Sequence, residues 1–267
     1  MWQWQTESGL PYLSCDLLAD WQHGFFTRQF SPREPQELTP SLDATASTHR
    51  LKQIHGKVVL TPTEITNAAE IEVETGYALG DGLLTEAAAQ AVWVASADCN
   101  PILIANRQTG NVAAVHAGWR GTSLGVVKVA VTRLLAQGGN LNDIIVAIGP
   151  AIDGKVYQVT KQVGLEVCAS ICQGQGFANA PKPLSGDLDA DLTSLLGISN
   201  SPLLSDEQAG RVRLDVRRVN QLQLEGLGID PGQISIAPHC TFQEPEYFFS
   251  YRREKLKKIQ WSGIVSK

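Results

Sequence analysis

The sequence lacks the features that would place it at once in several large classes of protein. It has no run of 18 apolar residues, and its first residues lack the basic and apolar stretches of a secretory signal. Basic residues are not in excess either, because the net charge is −5. Binding to nucleic acid or to a membrane surface through phosphate groups is therefore a poor interpretation. We expect a cytoplasmic protein with neither kind of partner.

Cysteine is also scarce, with five residues among 267, at positions 15, 99, 168, 172 and 240. An odd and scattered set does not resemble a disulfide framework, and it fits a reducing compartment in which thiols pack, bind metals or react. Cys168 and Cys172 lie four residues apart on a predicted helix. Burial as small apolar side chains explains this pair more simply than a metal or redox function.

The apolar pattern in the middle of the chain predicts an α/β core. Period-2 and continuous apolar segments predict strands over 92–97, 102–105, 112–116, 144–148, 234–236 and 247–251. Apolar residues at helical spacing predict helices over 124–135, after Thr160 and over 214–224. Thr122 and Ser123 are candidate N-caps of the first helix, which should end before Gly138.

The chain length allows one large domain or two small ones. Residues 173–187 are rich in glycine and proline, and 199–202 again favour turns. We therefore interpret 173–210 as a loop-rich insertion within one domain over 1–267, not as a linker between domains.

Two short motifs are similar to catalytic loops. The segment 149–156, GPAIDGKV, nearly spells a phosphate-binding P-loop, but Val156 has no hydroxyl group to hold magnesium, so a turn is the simpler interpretation. The segment 121–125, GTSLG, matches a serine nucleophile elbow. It begins five residues after the predicted strand instead of directly after it, and helix capping explains Ser123 more simply.

Three other segments carry residues that bind soft metals. His55, Cys99 and His116 supply two imidazoles and a thiolate, which suit zinc, and three protein ligands would leave a fourth position for water or substrate. Spacings of 44 and 17 residues do not show by themselves that the three residues meet. Packing or surface roles therefore stay open for each of them at this point.

The sequence around these residues resembles the YfiH-type, laccase-domain family. The resemblance runs from about residue 23 to residue 253, over nearly the whole chain. Six strings carry it: QIHG at 53–56, GDGLLT at 80–85, ADCNP at 97–101, AVHAGWRGT at 114–122, IGP at 148–150 and FFSYRR at 248–253.

The resemblance implies one α/β (α+β) domain of mixed sheets flanked by helices, a fold also likened to a cysteine-hydrolase toxin domain. It implies that His55, Cys99 and His116 are metal ligands, with zinc as the metal and copper as an alternative. The implied activity is that of a purine nucleoside phosphorylase acting on adenosine, inosine, guanosine and methylthioadenosine with phosphate, with adenosine deamination as a side activity.

Phosphorolysis requires cations that hold phosphate. Because a guanidinium suits two phosphate oxygens, we expect Arg120 and Arg252 to bind phosphate, with a surface or structural ion pair as the alternative for each. Asp98 is expected to accept a proton or to anchor a ligand histidine. Together with Cys99 and His116, these residues form the predicted active site. Trp119 is expected to stack on the base or simply to pack.

The sequence departs from the family pattern at three places. Gln29 and Phe30 replace a glycine pair, Lys155 stands where cysteine is frequent, and the segment 254–258, EKLKK, replaces Thr-Gly-Arg. These departures bear on substrate preference more than on metal binding.

Two other functions stay open. One is a copper-dependent phenol oxidoreductase, although one methionine and no His-x-His pair make a multicopper cluster hard to assemble. The other is a metal-binding module without catalysis. We expect a monomer or a weak homo-oligomer.

Overall fold

The computed structural model describes residues 1–68, 70–172 and 185–267. The strands are β1 Trp2–Glu7, β2 Leu10–Cys15, β3 His23–Phe26, β4 Ser47–His49, β5 Val59–Leu60, β6 Gly82–Leu84, β7 Gln90–Ser96, β8 Asn100–Asn106, β9 Val112–Ala117, β10 Ile144–Ile148, β11 Gln158–Thr160, β12 Leu203–Ser205, β13 Arg211–Leu214, β14 Ile234–Ile236 and β15 Gln260–Val265. The helices are α1 Pro35–Leu42, α2 Pro62–Thr66, α3 Trp119–Ser123, α4 Val126–Ala136, α5 Lys161–Cys172, α6 Leu188–Leu196, α7 Val216–Gly226 and α8 Tyr251–Glu254.

The strands form three sheets in the part of the chain that the structure describes. The first has the order β1-β2-β3-β15-β7-β4, the second β14-β10-β8-β9-β6-β5, and the third β11-β13-β12. In the two large sheets most neighbours are antiparallel, but β4 with β7, β10 with β14 and β5 with β6 are parallel. The expected α/β class with mixed sheets and flanking helices is confirmed.

Strands β8 and β9 form a hairpin in the centre of the second sheet and are buried along their whole length. Successive side chains of β8 point to opposite faces of the sheet. Leu103 belongs to the core between the two large sheets, whereas Ile102 and Ile104 pack with α4. Burial on both faces explains why these strands read as continuous apolar runs instead of an alternation.

A smaller layer packs α5, α6 and α7 with the third sheet, around Val167, Leu214 and Val219. Part of the stretch predicted to be a loop-rich insertion is regular structure, since α6 and β12 lie within it and Leu192 and Leu195 are buried. Residues 173–184 of that stretch lie outside the described residues. The single domain over 1–267 stays a prediction.

The prediction of where the helix after His116 begins is wrong. Helical residues start at Trp119, after Gly118 as N-cap, and Thr122 and Ser123 lie inside α3. Gly125 then separates α3 from α4 with a φ of 75°, a left-handed conformation that glycine adopts without steric cost.

The strand predicted over 247–251 does not form. The chain makes a turn there, and α8 follows. Arg253 donates hydrogen bonds to the carbonyl oxygens of Thr241, Phe242 and Phe248, which satisfies backbone groups that a sheet would otherwise pair. The pattern over 247–251 that predicts a strand therefore comes from the packing of a loop.

None of the helices in the described residues has the length and apolar composition needed to span a bilayer.

Candidate active site

His55, Cys99 and His116 meet at one end of the β8–β9 hairpin. The thiol sulfur of Cys99 and one ring nitrogen of each histidine all lie within 4.8 Å of one another. Cys99 directly precedes β8, and the register of the hairpin pairs Pro101 with His116, so the two ligands are neighbours. His55 comes from the loop between β4 and β5. Among the described residues this is the single group of three or more His, Cys, Asp or Glu side chains arranged to hold a metal.

Asp81, directly before β6, fixes both histidines. Its carboxylate accepts hydrogen bonds from the ring of His116 (Nδ1 to Oδ1, 2.8 Å) and from the backbone N–H groups of His55 (2.8 Å) and Gly56 (2.6 Å). The side chain of Asp81 is fully buried. His55 has a φ of 61°, which is uncommon for a residue with a side chain, and the bonds to Asp81 hold it there. The carboxylate occupies Nδ1 of His116 and leaves Nε2 to bind a metal.

Gln53 attaches the loop of His55 to the first sheet. Its side-chain amide donates to the carbonyl oxygen of Ala95 (2.8 Å) and accepts from the N–H of Ala95 (2.7 Å), as a neighbouring strand would. The position of His55 is therefore tied to β7 as well as to Asp81.

Gly118 gives the site its close packing. A Cβ atom at this position would lie 2.8 Å from the sulfur of Cys99 and 3.2 Å from Cδ2 of His55. Any larger residue would displace the ligands, so glycine is required between the end of β9 and α3.

The surroundings of Cys99 and His116 favour the charged forms of both groups. Burial alone would raise the pKa of the Cys99 thiol, but the neighbouring imidazoles of His116 and His55 lower it below its usual range. Burial would lower the pKa of His116, but the thiolate of Cys99 and the carboxylate of Asp81 raise it. A thiolate is the form of cysteine that binds metals, so the site is prepared for a divalent cation that displaces the imidazole proton.

The donor set fits zinc. One thiolate and two imidazoles, one of them backed by a buried carboxylate, match the ligand chemistry of zinc sites with an open position. A cluster of several copper ions needs many more ligands than the three that the described residues bring together here.

The ligands line a pocket of about 630 Å³, a volume typical of sites for small molecules. The lining includes Asp98, Arg120 and Arg252, so the structure brings all the predicted active-site residues together. Trp119 and Tyr157 also line it. Burial, together with the nearby Cys99, raises the pKa of Tyr157 to about 12, so its phenol stays protonated.

Asp98 positions the pocket wall and does not anchor a ligand histidine. Its carboxylate accepts from the hydroxyl of Thr241 (2.7 Å) and from the N–H of Arg252 (2.7 Å). The expectation that it would hold a histidine is wrong, because Asp81 takes that part. Asp98 has a φ of 90°, a conformation that Asp and Asn tolerate better than most residues.

The two predicted phosphate-binding arginines differ in their surroundings. Arg252 donates to the carbonyl oxygen of Gln158 (2.8 Å) and lies 4.8 Å from the ring centre of Tyr157. Arg120 is exposed and lies over the ring of Trp119 (4.3 Å), without a carboxylate within salt-bridge distance among the described residues. Trp119 therefore supports an arginine on one face, in addition to packing near α5. Arg120 is the better placed of the two for an incoming anion.

The rejected motifs have structural roles. Ser123 is half-buried at the end of α3, and its hydroxyl donates to the carbonyl oxygen of Arg120, so it is no nucleophile elbow. Residues 154–156 form a turn, as the sequence indicates. Cys168 is buried in the core around α5, and the thiol of Cys172 donates to the carbonyl oxygen of Cys168.

The fold and the site together define a class: an α/β protein with three side chains arranged to hold a metal at the floor of a pocket lined by cations. The family described as multi-copper polyphenol oxidoreductase laccase matches residues 33–264, and the chain belongs to this family.

Individual relatives extend the comparison over the whole chain. The protein named purine nucleoside phosphorylase slr1573, from Synechocystis sp., is 47% identical over 266 residues, which cover 100% of this chain and 97% of that protein. A protein from an unknown prokaryotic organism, named adenosine deaminase RL5, is 28% identical over 76% of this chain and 68% of its own length. The crystal structure of the hypothetical protein YfiH from Bacillus licheniformis has a TM-score of 0.74 at 24% identity and covers 99% of both chains, which confirms the fold.

Proposed function

We propose that this chain is a zinc-dependent purine nucleoside phosphorylase. Its substrates are adenosine, inosine, guanosine and methylthioadenosine, which react with phosphate to give a free base and a sugar 1-phosphate. Adenosine deamination is a side activity. The observation that carries the proposal is the pocket itself, in which three side chains arranged to hold a metal line the same cavity as Arg120 and Arg252. The full-length likeness to a protein named purine nucleoside phosphorylase supports it.

The reaction replaces one bond at the anomeric carbon by another. An oxygen of phosphate bonds to C1′ while the bond from C1′ to N9 of the purine breaks, and the base leaves with the electron pair and takes up a proton. His55, Cys99 and His116 would hold zinc, which would supply a Lewis acid to the reaction. Arg120 binds the phosphate through charge-assisted hydrogen bonds and orients it.

Asp98 and Arg252 keep the pocket in shape during this reaction. With both carboxylate oxygens of Asp98 engaged, the residue acts by positioning the backbone of Arg252. The side chain of Arg252, held by the carbonyl oxygen of Gln158, adds positive charge beside Tyr157. Because the thiolate of Cys99 would hold the metal, the attacking group is phosphate, or water in the deamination.

We place the enzyme in the cytoplasm and expect a monomer or a weak homo-oligomer. A purine nucleoside and phosphate are its partners.

The direct experiment incubates purified, zinc-loaded protein with adenosine or inosine, with and without phosphate, and separates the products. Release of free base that depends on phosphate supports the proposal, and inosine formed from adenosine supports the side activity. The variant Ser123→Ala should keep both activities, because Ser123 is not among the residues that line the pocket and its hydroxyl bonds to the carbonyl oxygen of Arg120. No base and no inosine from any nucleoside would contradict the proposal. Oxygen uptake with a phenol, together with bound copper, would favour the oxidoreductase instead.

A further inference from the structure

Residues 255–259, Lys-Leu-Lys-Lys-Ile, follow α8 and line the pocket of the metal centre; we call them the lysine segment. All five residues are exposed. The segment leads directly into β15, whose first residue, Gln260, pairs with Ser96 at the end of β7. Since Asp98 and Cys99 follow Ser96, the lysine segment lies beside the loop that carries a metal ligand.

The charge of the pocket lining is strongly one-sided. Seven lysine and arginine residues line it, against Asp98 as the one carboxylate. The whole chain has a net charge of −5, so this concentration of cations is local. A cleft lined by one sign of charge attracts ions of the opposite sign.

Some of these cations are neutralised within the protein. Arg50 pairs with Glu34, and Lys52 with Glu72 (2.7 Å). Arg120 and the three lysines of the lysine segment have no carboxylate within salt-bridge distance in the described ranges 1–68, 70–172 and 185–267. Arg120 and Arg252 already suffice for one phosphate of about two charges. The lysines therefore exceed what the co-substrate requires.

The lysine segment also carries apolar surface. Leu256 is 50% exposed and Ile259 is 36% exposed, and both line the same pocket between the lysines. Trp261, the second residue of β15, lines it next to them. Cations beside apolar side chains suit a ligand that has a flat apolar body and an anionic end. A nucleotide has this composition, whereas a nucleoside lacks the anion.

We propose that the lysine segment is a phosphoryl-binding subsite and that the substrates of this pocket include purine nucleoside 5′-monophosphates. The chemistry of turnover rests on the proposed function, whereas binding of the nucleotide does not. Phosphorolysis of adenosine 5′-monophosphate breaks the bond from C1′ to N9 and forms a bond from C1′ to an oxygen of inorganic phosphate. The products are adenine, which takes up the proton, and ribose 1,5-bisphosphate.

The test is a binding comparison that needs no turnover. Zinc-loaded protein is titrated calorimetrically with adenosine 5′-monophosphate, with adenosine and with inorganic phosphate, in a buffer free of phosphate. Because charged hydrogen bonds add to the contacts of the nucleoside, the wild type should bind the monophosphate about tenfold or more tightly than adenosine. The preference should shrink between about 50 mM and about 300 mM salt, since exposed charges are screened.

The variant Lys255→Gln/Lys257→Gln/Lys258→Gln should lower the preference for the monophosphate over adenosine about tenfold. The matched control Lys155→Gln/Lys161→Gln/Lys267→Gln changes net charge equally at positions outside this pocket and should keep the preference. In the phosphorylase assay, the ratio of kcat/KM for the monophosphate to that for adenosine should fall in the first variant alone.

An equal affinity of the wild type for monophosphate and nucleoside overturns the proposal, as does an unchanged preference in the first variant. A third outcome is that the wild type shows no preference for the monophosphate and the triple lysine variant loses binding of inorganic phosphate. This outcome overturns the nucleotide assignment and gives the subsite to free phosphate. If no nucleoside or nucleotide is turned over, the proposed function fails while the calorimetric comparison still decides the subsite.

Discussion

The metal floor and the lysine segment line the same pocket, yet the protein holds them in different ways. We use metal floor for His55, Cys99, His116 and the carboxylate of Asp81. In the floor, His116 lies in a buried strand and Cys99 directly precedes another. The carboxylate of Asp81 accepts hydrogen bonds from both histidines. The lysine segment follows a four-residue helix, is exposed and has few partners for its charges. The two proposals assign different roles to these parts: the floor would carry out the chemistry, and the segment would select the substrate.

This comparison explains where the family resemblance is informative. The floor is made of motif residues whose geometry admits little change, since even a Cβ at Gly118 would collide with Cys99. The lysine segment has no such constraint, and it overlaps 254–258, one of the three places where the sequence departs from the family pattern. Residues of the segment can therefore change without disturbing the positions of His55, Cys99 and His116.

The largest effect is expected from Cys99→Ser. Loss of one of three ligands should reduce bound zinc from about one ion per chain to a small fraction. Activity should fall about 1000-fold, because a Lewis acid contributes several kcal/mol to the transition state. Metal analysis and the phosphorylase assay on the same sample check this.

The matched control is Cys172→Ser, since Cys172 lies on α5 away from the pocket. It should retain both zinc and activity. If Cys99→Ser retained full zinc, Cys99 would not be a ligand; if it unfolded the protein, the metal would serve the fold and the non-catalytic module would gain support.

Asp81→Asn should weaken zinc binding about 10- to 100-fold, as losses of carboxylate partners of ligand histidines do. The buried N–H groups of His55 and Gly56 would also lose a charged acceptor, which should lower the free energy of unfolding by about 1–3 kcal/mol. Zinc titration against a competing chelator and urea denaturation measure the two effects.

Asp98→Asn makes the same substitution as Asp81→Asn, but in the pocket wall, where Asp98 binds Thr241 and Arg252. Asparagine tolerates the left-handed backbone of this position. The change should leave zinc affinity intact and raise the KM for phosphate, because the N–H group of Arg252 would lose a charged acceptor and keep only a neutral one. If Asp81→Asn and Asp98→Asn lost zinc equally, the metal floor and the pocket wall would not have separate roles.

Arg120→Gln should raise the KM for phosphate about 10- to 100-fold while zinc content stays unchanged, because one charged hydrogen-bond donor is lost. Arg107→Gln is the control, at a position outside the pocket. Steady-state kinetics over a range of phosphate concentrations measure it. An unchanged KM in Arg120→Gln would move phosphate binding elsewhere.

The smallest effect concerns His23 in β3, a buried histidine outside this pocket. Its ring accepts from the N–H of Cys15 and lies 2.8 Å from the carbonyl oxygen of Trp21, and burial lowers its pKa. His116 is also buried, yet its pKa is raised, because Cys99 and Asp81 outweigh the effect of burial there.

The sign of the pH effect at His23 follows from its lowered pKa. The unfolded chain takes up the proton at a higher pH than the folded one, so stability should fall as the pH drops below about 6.5. The free energy of unfolding should fall by at most about 1.4 kcal/mol per pH unit. Each kcal/mol lost should lower Tm by about 2–4 °C. Thermal unfolding from pH 8 to pH 5 measures it, and His23→Gln should show a smaller decrease; an identical decrease would assign it to other groups.

The sequence predicts most of the core and the three ligands, for different reasons. Strands such as β8 and β10 are recognisable because buried strands are continuous apolar runs. The ligands His55, Cys99 and His116 depend on the family resemblance, since their spacing does not show that they meet. The prediction of a strand over 247–251 failed because long-range bonds from Arg253 hold that segment as a turn.

Asp81 and Gln53 lie within the strings that carry the resemblance, yet the sequence alone gave them no role. Each acts on backbone groups far away in the chain: Asp81 on His55, and Gln53 on Ala95. Local patterns do not report such contacts. A single carboxylate directly before a short apolar segment, Gly82–Leu84, is the signal that could have directed attention to Asp81.

The central claim is that the metal floor supports phosphorolysis in this pocket. The most direct measurement removes the metal from the purified protein with a chelator and then follows phosphate-dependent release of base from adenosine or inosine while zinc is added back. Activity should be absent at first, should rise linearly and should saturate at about one zinc ion per chain, in line with a single three-ligand site. Full activity without metal, or no release of base at any zinc content, would contradict the account.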